Sequence, residues 1–254
     1  MNIFKSVFYK IIKNRHYTID QNGIMNRYLT EKKNWQEHLN NSKQYILDCI
    51  SNKNYNTLAI LGSGWLLDVP VDDILKQGVK LYLLDINHPK QIVNKYKNEK
   101  NITFIKTDLT NNLTEKINYA KDINDFINIV NNNSIIYFNK YDFVVSLNLL
   151  NQLDILLCDL LKKKFTVNNN DLINIRQTIQ QNHLTGLSKG KGCIITDYNE
   201  INYKKQINEG VSKQLIYVSL DNLKNKKEWI WNFDTKETYN SNLKTVFKVI
   251  SGEV

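Results

Sequence analysis

The residues of this 254-residue chain best suited to chemistry lie between Leu58 and Pro70 and at Asp85. The first segment reads Leu58-Ala59-Ile60-Leu61-Gly62-Ser63-Gly64-Trp65-Leu66-Leu67-Asp68-Val69-Pro70. An apolar run that ends in glycine lets the chain turn sharply, and lets a ligand approach the backbone with no side chain between them. Asp85 ends the next apolar run, 23 residues after Gly62. A carboxylate at that place can accept both hydroxyls of a ribose, so the two features together point to an adenosyl or nucleotide ligand. A tight turn and a helix-capping aspartate would be the alternative. Asp68 is placed to cap the next helix, with Pro70 in its first turn and Asp72 and Asp73 just beyond. Three carboxylates there would repel a pyrophosphate, which needs that helix end for its own charge. A ligand carrying ammonium and sulfonium groups in place of phosphate tolerates them.

These residues need elements to hold them. Residues 57–61, 80–84, 102–106, 141–147 and 193–196 are short apolar runs of the kind that form buried parallel strands. Helical patterns at 69–77, 89–98, 149–163 and 171–185 fall between them, which implies βαβ units with right-handed crossovers. Residues 109–134 are Asn-rich and ambiguous, although Ile123, Phe126, Ile127 and Val130 suggest a helix. Residues 214–220, 229–233 and 245–250 resemble the closing strands of a mixed sheet. Ahead of the first strand, Ile3, Phe4, Val7, Phe8, Ile11 and Ile12 form one apolar helical face. Residues 27–50 read as one or two further helices burying Tyr28, Trp35, Leu39, Tyr45, Ile46 and Ile50. The expected fold class is α/β: a helical extension over 1–54, then a Rossmann-like, doubly wound, mostly parallel sheet over 55–254 that binds the cofactor.

The order of these motifs is more specific than any one of them. Third-strand Ile105-Lys106-Thr107-Asp108, fourth-strand Tyr141-Asp142-Phe143-Val144-Val145-Ser146-Leu147-Asn148 and the later Lys189-Gly190-Lys191-Gly192-Cys193-Ile194-Ile195-Thr196-Asp197 continue the pattern. Residues 57–197 resemble the class I S-adenosylmethionine-dependent methyltransferases. The resemblance implies a seven-stranded sheet with its last strand antiparallel, and S-adenosylmethionine as cofactor. It further implies that Gly62, Ser63 and Gly64 line the methionine end, that Asp85 holds the ribose and that Asp108 meets the adenine amino group. Ser146 and Asn148 would end the fourth strand facing the transferring methyl. The glycine motif is degenerate: Leu66 stands at the third glycine of Gly-x-Gly-x-Gly, and Trp65 narrows the space beside it. A nicotinamide-dependent oxidoreductase and a non-catalytic Rossmann-like binding protein are the alternatives.

Methyl transfer is an in-line displacement that needs alignment and, for some acceptors, loss of a proton, so no fixed catalytic set is required. Asn148 could orient an acceptor or cap a helix. His183, seven positions after Arg176, could contact an acidic acceptor or simply lie on a helix surface. His88 lies near the cofactor edge. Tyr28, Trp35 and His38 are candidate walls of the acceptor site. The methyl acceptor itself is not legible. The four histidines and three cysteines lack metal-ligand spacing, so no metal is expected. Cys49, Cys158 and Cys193 read as buried free thiols of a reducing cytosol. The net charge of +9 comes from lysines scattered through the chain, which gives nucleic acid only weak support as a partner. Residues 1–16 could lie on an anionic membrane, but packing on the chain's own domain is the favoured reading.

Overall fold

Leu58, Ala59, Ile60 and Leu61 are at most 1% exposed, as a strand covered on both faces requires, and they form β1 (Thr57–Leu61). The computed structural model describes residues 3–187, 190–204, 210–240 and 242–254, with side chains from residue 18 onward. β1 lies between β2 (Lys80–Asp85) and β4 (Phe143–Leu147), parallel to both. β3 (Ile102–Lys106) flanks β2, and β5 (Gly192–Lys204) flanks β4, again in parallel. The sheet is completed antiparallel by β8 (Leu243–Glu253) against β5, and by β7 (Lys224–Asp234) against β8. The strand order is β3-β2-β1-β4-β5-β8-β7, with the short β6 (Gly210–Gln214) paired to the far half of β5. This is a mostly parallel, Rossmann-like sheet whose last strand runs antiparallel, as the resemblance implies. The order reverses between β1 and β4, and ligands of open α/β sheets bind outside the strand ends at such a point.

The crossovers use α2 (Val71–Lys76), α3 (Lys90–Lys95), α4 (Leu113–Lys116), α5 (Ile123–Asn131), α6 (Ile155–Lys164) and α7 (Asn169–Gly186). Two of them start later than the periodicity predicts. α2 opens at Val71 with no side-chain cap, so Asp68 is not its N-cap. α6 opens at Ile155, which leaves 148–154 as a loop in which Asn148 and Asn151 are free to turn toward β5. The predicted strand at 214–220 is also displaced: β6 ends at Gln214. Leu215 and Ile216 drop into the interior instead, and Gln180 bonds the Leu215 carbonyl and the Tyr217 N–H.

The predicted separate N-terminal helices are one helix, α1 (Ile3–Ile50). The chain's two prolines lie beyond it, and a side chain at Gly23 would meet nothing within 4 Å. A single helical glycine costs only about 1 kcal/mol, too little to break a helix that docking holds in place. Trp35 supplies that docking: it is 1% exposed, stacks on Phe233, meets Trp231 edge-on and donates from Nε1 to the Phe233 carbonyl at 2.8 Å. Buried Glu31 accepts from the backbone N–H groups of Thr235 and Lys236, plugging the turn after β7. The side chains of residues 1–16, and with them the choice between packing and a membrane surface, lie outside the described residues. Among the described residues no helix is long and apolar enough to cross a membrane.

Candidate functional site

At the reversal point the ends of β1 and β4 nearly touch. Gly62 takes φ +80°, and a Cβ there would stand 2.8 Å from the Leu147 carbonyl oxygen. Only glycine fits. Above Gly64, at φ +43°, the nearest atom to an added Cβ is 4.0 Å away, which leaves open backbone. Ser63, between them, is 2% exposed and its Oγ has no hydrogen-bond partner in the protein. The Gly64 N–H donates to Asp85 Oδ2 at 2.8 Å and the Asn87 N–H to Asp85 Oδ1 at 3.1 Å. Each carboxylate oxygen retains a second lone pair, so both can still accept a hydroxyl. Burial pushes the Asp85 carboxyl up, and the two backbone N–H groups and His88 oppose that.

Leu66 shows what the missing third glycine costs. It sits in the left-handed region at φ +56°, a conformation that costs a side-chain-bearing residue about 1–2 kcal/mol. It is held there because the side chain is 9% exposed and packed in the core. Trp65 donates from Nε1 to the Gln21 carbonyl at 2.7 Å. The Gln21 amide in turn bonds Asn87 twice, to its carbonyl at 2.6 Å and with its side chain at 3.0 Å. Three hydrogen bonds therefore latch α1 across this end of the cleft.

A second group of polar side chains gathers beyond the end of β4, against the middle of β5. Asn148, at φ +45°, donates its backbone N–H to Ile195 and its side-chain amide to Asp68 Oδ2 at 2.7 Å. His38 approaches from α1. The indole N–H of Trp229 can only donate, so His38 Nδ1 accepts it at 3.0 Å and the ring proton sits on Nε2. That Nε2–H faces the Asn148 amide nitrogen at 3.5 Å, donor against donor. The ring lies flat on Trp231, 3.9 Å between centroids, and burial lowers its pKa to about 3, so it is neutral. On the far side, Asn151 donates to Asp197 Oδ2 at 3.3 Å. Burial pushes Asp197 up to about 7, with Asp68 and Glu200 adding to the shift, and pushes Asp68 up to about 6.

A β-bulge arranges this second group. Asp197 opposes Val249 and Asn199 opposes the adjacent Lys248, so Tyr198 is the extra residue. Side chains on a regular strand alternate faces, but the bulge puts Asp197 and Glu200 on one face three residues apart. Two rows cross the sheet there: Asp197–Val249–Trp229 and Glu200–Phe247–Trp231. His38 covers them from α1.

The residues singled out in the sequence divide between these groups and places outside them. Gly62, Ser63, Gly64 and Asp85 come together at the end of β1 and β2. Asp108 turns its Oδ1 to the N–H and hydroxyl of Thr110 at the start of the next loop. Ser146 is fully buried, with Oγ 2.8 Å from His183 Nε2, so it is sealed beneath the cleft rather than open to it. His183 is accordingly not on a helix surface. It is 6% exposed, and burial lowers its pKa to about 4. Arg176 lies 3.7 Å from Asp154 and over the Tyr217 ring. His88 bonds the Ile105 carbonyl. Trp35 and Tyr28 pack together, while His38 is the one residue of that trio to reach the cleft. Gln21, Asn87, Asn151 and Asp197 went unassigned in the sequence. Asp197 alone carried a signal, as the acidic end of the fifth apolar run.

No family model and no curated protein sequence matches the chain. Among solved structures, the chain is similar to the N-methyltransferase NodS from Bradyrhizobium japonicum WM9 in complex with S-adenosyl-L-homocysteine. Identity there is 10%, coverage is 84% of this chain and 86% of that one, and the TM-score is 0.39. It is also similar to the Burkholderia thailandensis 1,6-didemethyltoxoflavin-N1-methyltransferase, at 10% identity, 95% and 90% coverage and TM-score 0.41. A third is a putative S-adenosylmethionine-dependent methyltransferase from Listeria monocytogenes, at 9% identity, 84% and 98% coverage and TM-score 0.35. Values this low identify neither a family nor a ligand, and the functional argument rests on this chain's own strand order and cleft.

Proposed function

We propose that the protein is an S-adenosylmethionine-dependent methyltransferase. One observation carries the reading: a side-chain-free turn at Gly62–Gly64 ends β1 at the reversal point, and its Gly64 amide is bonded by the carboxylate that ends β2. Open backbone above Gly64, the unpartnered Ser63 hydroxyl and the spare lone pairs of Asp85 suit the methionine and ribose portions of that cofactor. Asp72 and Asp73, in the first turn of α2, put negative charge where a pyrophosphate would need the helix end. When bound, the cofactor supplies a methyl group on a sulfonium open to displacement. The chain's part is to align the acceptor, exclude water under α1 and offer a carboxylate as proton acceptor. Asp197, at about 7, is suited to that last task, since a base works best with a pKa near the operating pH. The reading includes the cytosol as compartment, supported by Cys49, Cys158 and Cys193, which are all buried and free. The test is a thermal-shift titration: S-adenosylhomocysteine stabilises the protein and NAD does not. At one hundred times its dissociation constant a ligand adds about 2.7 kcal/mol, well within detection. Stabilisation by NAD alone overturns the reading.

A further inference from the structure

The polar group between the end of β4 and the β5 bulge is rich in acceptors and poor in donors. Asp197 and Asn151 are 3% and 8% exposed, yet Asp197 Oδ1 and Asn151 Oδ1 have no hydrogen-bond partner in the protein, and neither has Asn148 Oδ1. Glu200, on the same face, makes an informative contrast. Its Oε1 accepts from the side-chain amides of Asn202 and Asn240, and Lys213 stands 3.6 Å from Oε2. The carboxylate of Glu200 is thus provided for by the chain, whereas Asp197 receives a single amide at 3.3 Å. Lys43 lowers Asp68 by its charge, whereas the charges that act on Asp197 are the carboxylates of Asp68 and Glu200. Buried polar atoms in native proteins are nearly always paired, so three orphaned oxygens on the loop after β4 and the β5 bulge it bonds require an explanation. Above its pKa of about 7, where Asp197 is ionised, these oxygens only accept, so what satisfies them must bring N–H or O–H donors, and positive charge would answer the carboxylate.

We propose that the Asp197, Asn151 and Asn148 oxygens form a recognition site for a protonated amine, and that the methyl acceptor is an amine bound there. His38, held flat on Trp231, stands 3.5 Å from the Asn148 amide at one side of the group. The bulge at Tyr198 turns Asp197 onto that face. The assignment of the amine as acceptor rests on the methyltransferase reading; the cation site itself does not. In the transfer, the bound ammonium gives its proton to the Asp197 carboxylate. The freed nitrogen lone pair forms the N–C bond as the C–S bond breaks, with that bond's electron pair passing to sulfur.

The experiment is calorimetric titration of the full chain at pH 8 with putrescine and tyramine. Their hydroxyl counterparts, 1,4-butanediol and 4-(2-hydroxyethyl)phenol, are the controls, and S-adenosylhomocysteine is titrated separately. An amine binds and its hydroxyl counterpart does not. Asp197→Asn, nearly isosteric, weakens amine binding by about tenfold to a hundredfold, as loss of a charge-assisted hydrogen bond implies, and leaves S-adenosylhomocysteine affinity unchanged. Asn151→Ala weakens the amine less, and serves if the first variant does not fold. Binding of neither amine, equal binding of amine and alcohol, or retained amine binding in both variants each overturns the proposal. So does parallel loss of S-adenosylhomocysteine in Asp197→Asn, which would give that carboxylate to the cofactor's own ammonium. Amine binding through Asp197 with no S-adenosylhomocysteine binding to the unmodified protein would sink the methyltransferase reading and leave the cation site standing.

Discussion

Asp85 ends β2, Asp197 lies at the bulge within β5, and both are pushed up by burial, yet the chain treats them differently. Asp85 holds two backbone N–H groups at 2.8 and 3.1 Å, and in doing so fixes the turn that follows β1. Asp197 holds one stretched side-chain amide and keeps one oxygen unpartnered. The first carboxylate is part of the framework and offers a ligand only its spare lone pairs. The second is a burden on the ligand-free protein, tolerable because what binds there relieves it. Buried charge without a partner is costly, so such a group persists where function requires it.

The largest effect that would test this contrast is at Asp85. Asp85→Ala leaves the N–H groups of Gly64 and Asn87 unpaired, and charge-assisted bonds are worth about 1.5–3 kcal/mol each. The variant is expected to lose roughly 3 kcal/mol or more in urea unfolding, and to bind S-adenosylhomocysteine at least about a hundredfold more weakly. Unchanged unfolding would remove Asp85 from the framework and break the comparison. Gly62→Ala comes next. Its Cβ would press on the Leu147 carbonyl at a φ of +80°, which should cost more than about 2 kcal/mol by the same measurement.

At Asp197 the sign reverses. Its folded pKa, about 7, lies above the ordinary 3.8, so the stability it contributes is full below about pH 4 and is lost as pH rises toward 7. Asparagine does not titrate. Asp197→Asn should therefore gain on the unmodified protein between pH 5 and pH 8, by on the order of 2 kcal/mol. Paired unfolding curves at the two pH values measure this; a variant less stable than the parent at pH 8 would mean that the carboxylate is satisfied after all. His38 and His183 titrate in the opposite sense, because their folded values of about 3 and 4 lie below 6.5. Both proteins share those histidines, so the difference between the curves isolates Asp197. The smallest effect is at the latch. Trp65→Phe removes one hydrogen bond to Gln21, worth about 1 kcal/mol, which urea unfolding of the variant measures.

The two halves of the cleft were not equally legible. The glycine turn and Asp85 are adjacent strand ends of a parallel sheet, and short apolar runs with terminal Gly and Asp announce them without any knowledge of packing. Asp197 and Glu200 could not be read the same way. Period-two alternation assigns residues three apart to opposite faces, and only the unpaired Tyr198 reverses this. Asn148 was visible at the end of the fourth strand, but Asn151 was hidden by an apolar pattern that placed a helix from 149, where the chain delays helix formation to Ile155. The Ser146–His183 pair depends on how α7 crosses β4, which no local spacing records. Leu66 marks the limit of motif reading: a missing glycine suggests a lost conformation, yet leucine adopts it because the core receives its side chain.

α1 is one unbroken helix, and it meets the cleft twice. Gln21 engages Asn87 at one end and His38 stands against Asn148 at the other, 17 residues on, or about 25 Å along the axis. A helix of that kind tilts as one body, so a ligand that shifts it at Gln21 also changes the seat of His38. Thermodynamic reciprocity then fixes the bookkeeping: whatever factor the cofactor imposes on the affinity for the acceptor, the acceptor imposes on the cofactor. Two ligands that meet between those contacts would be read by the molecule as a single joint occupancy.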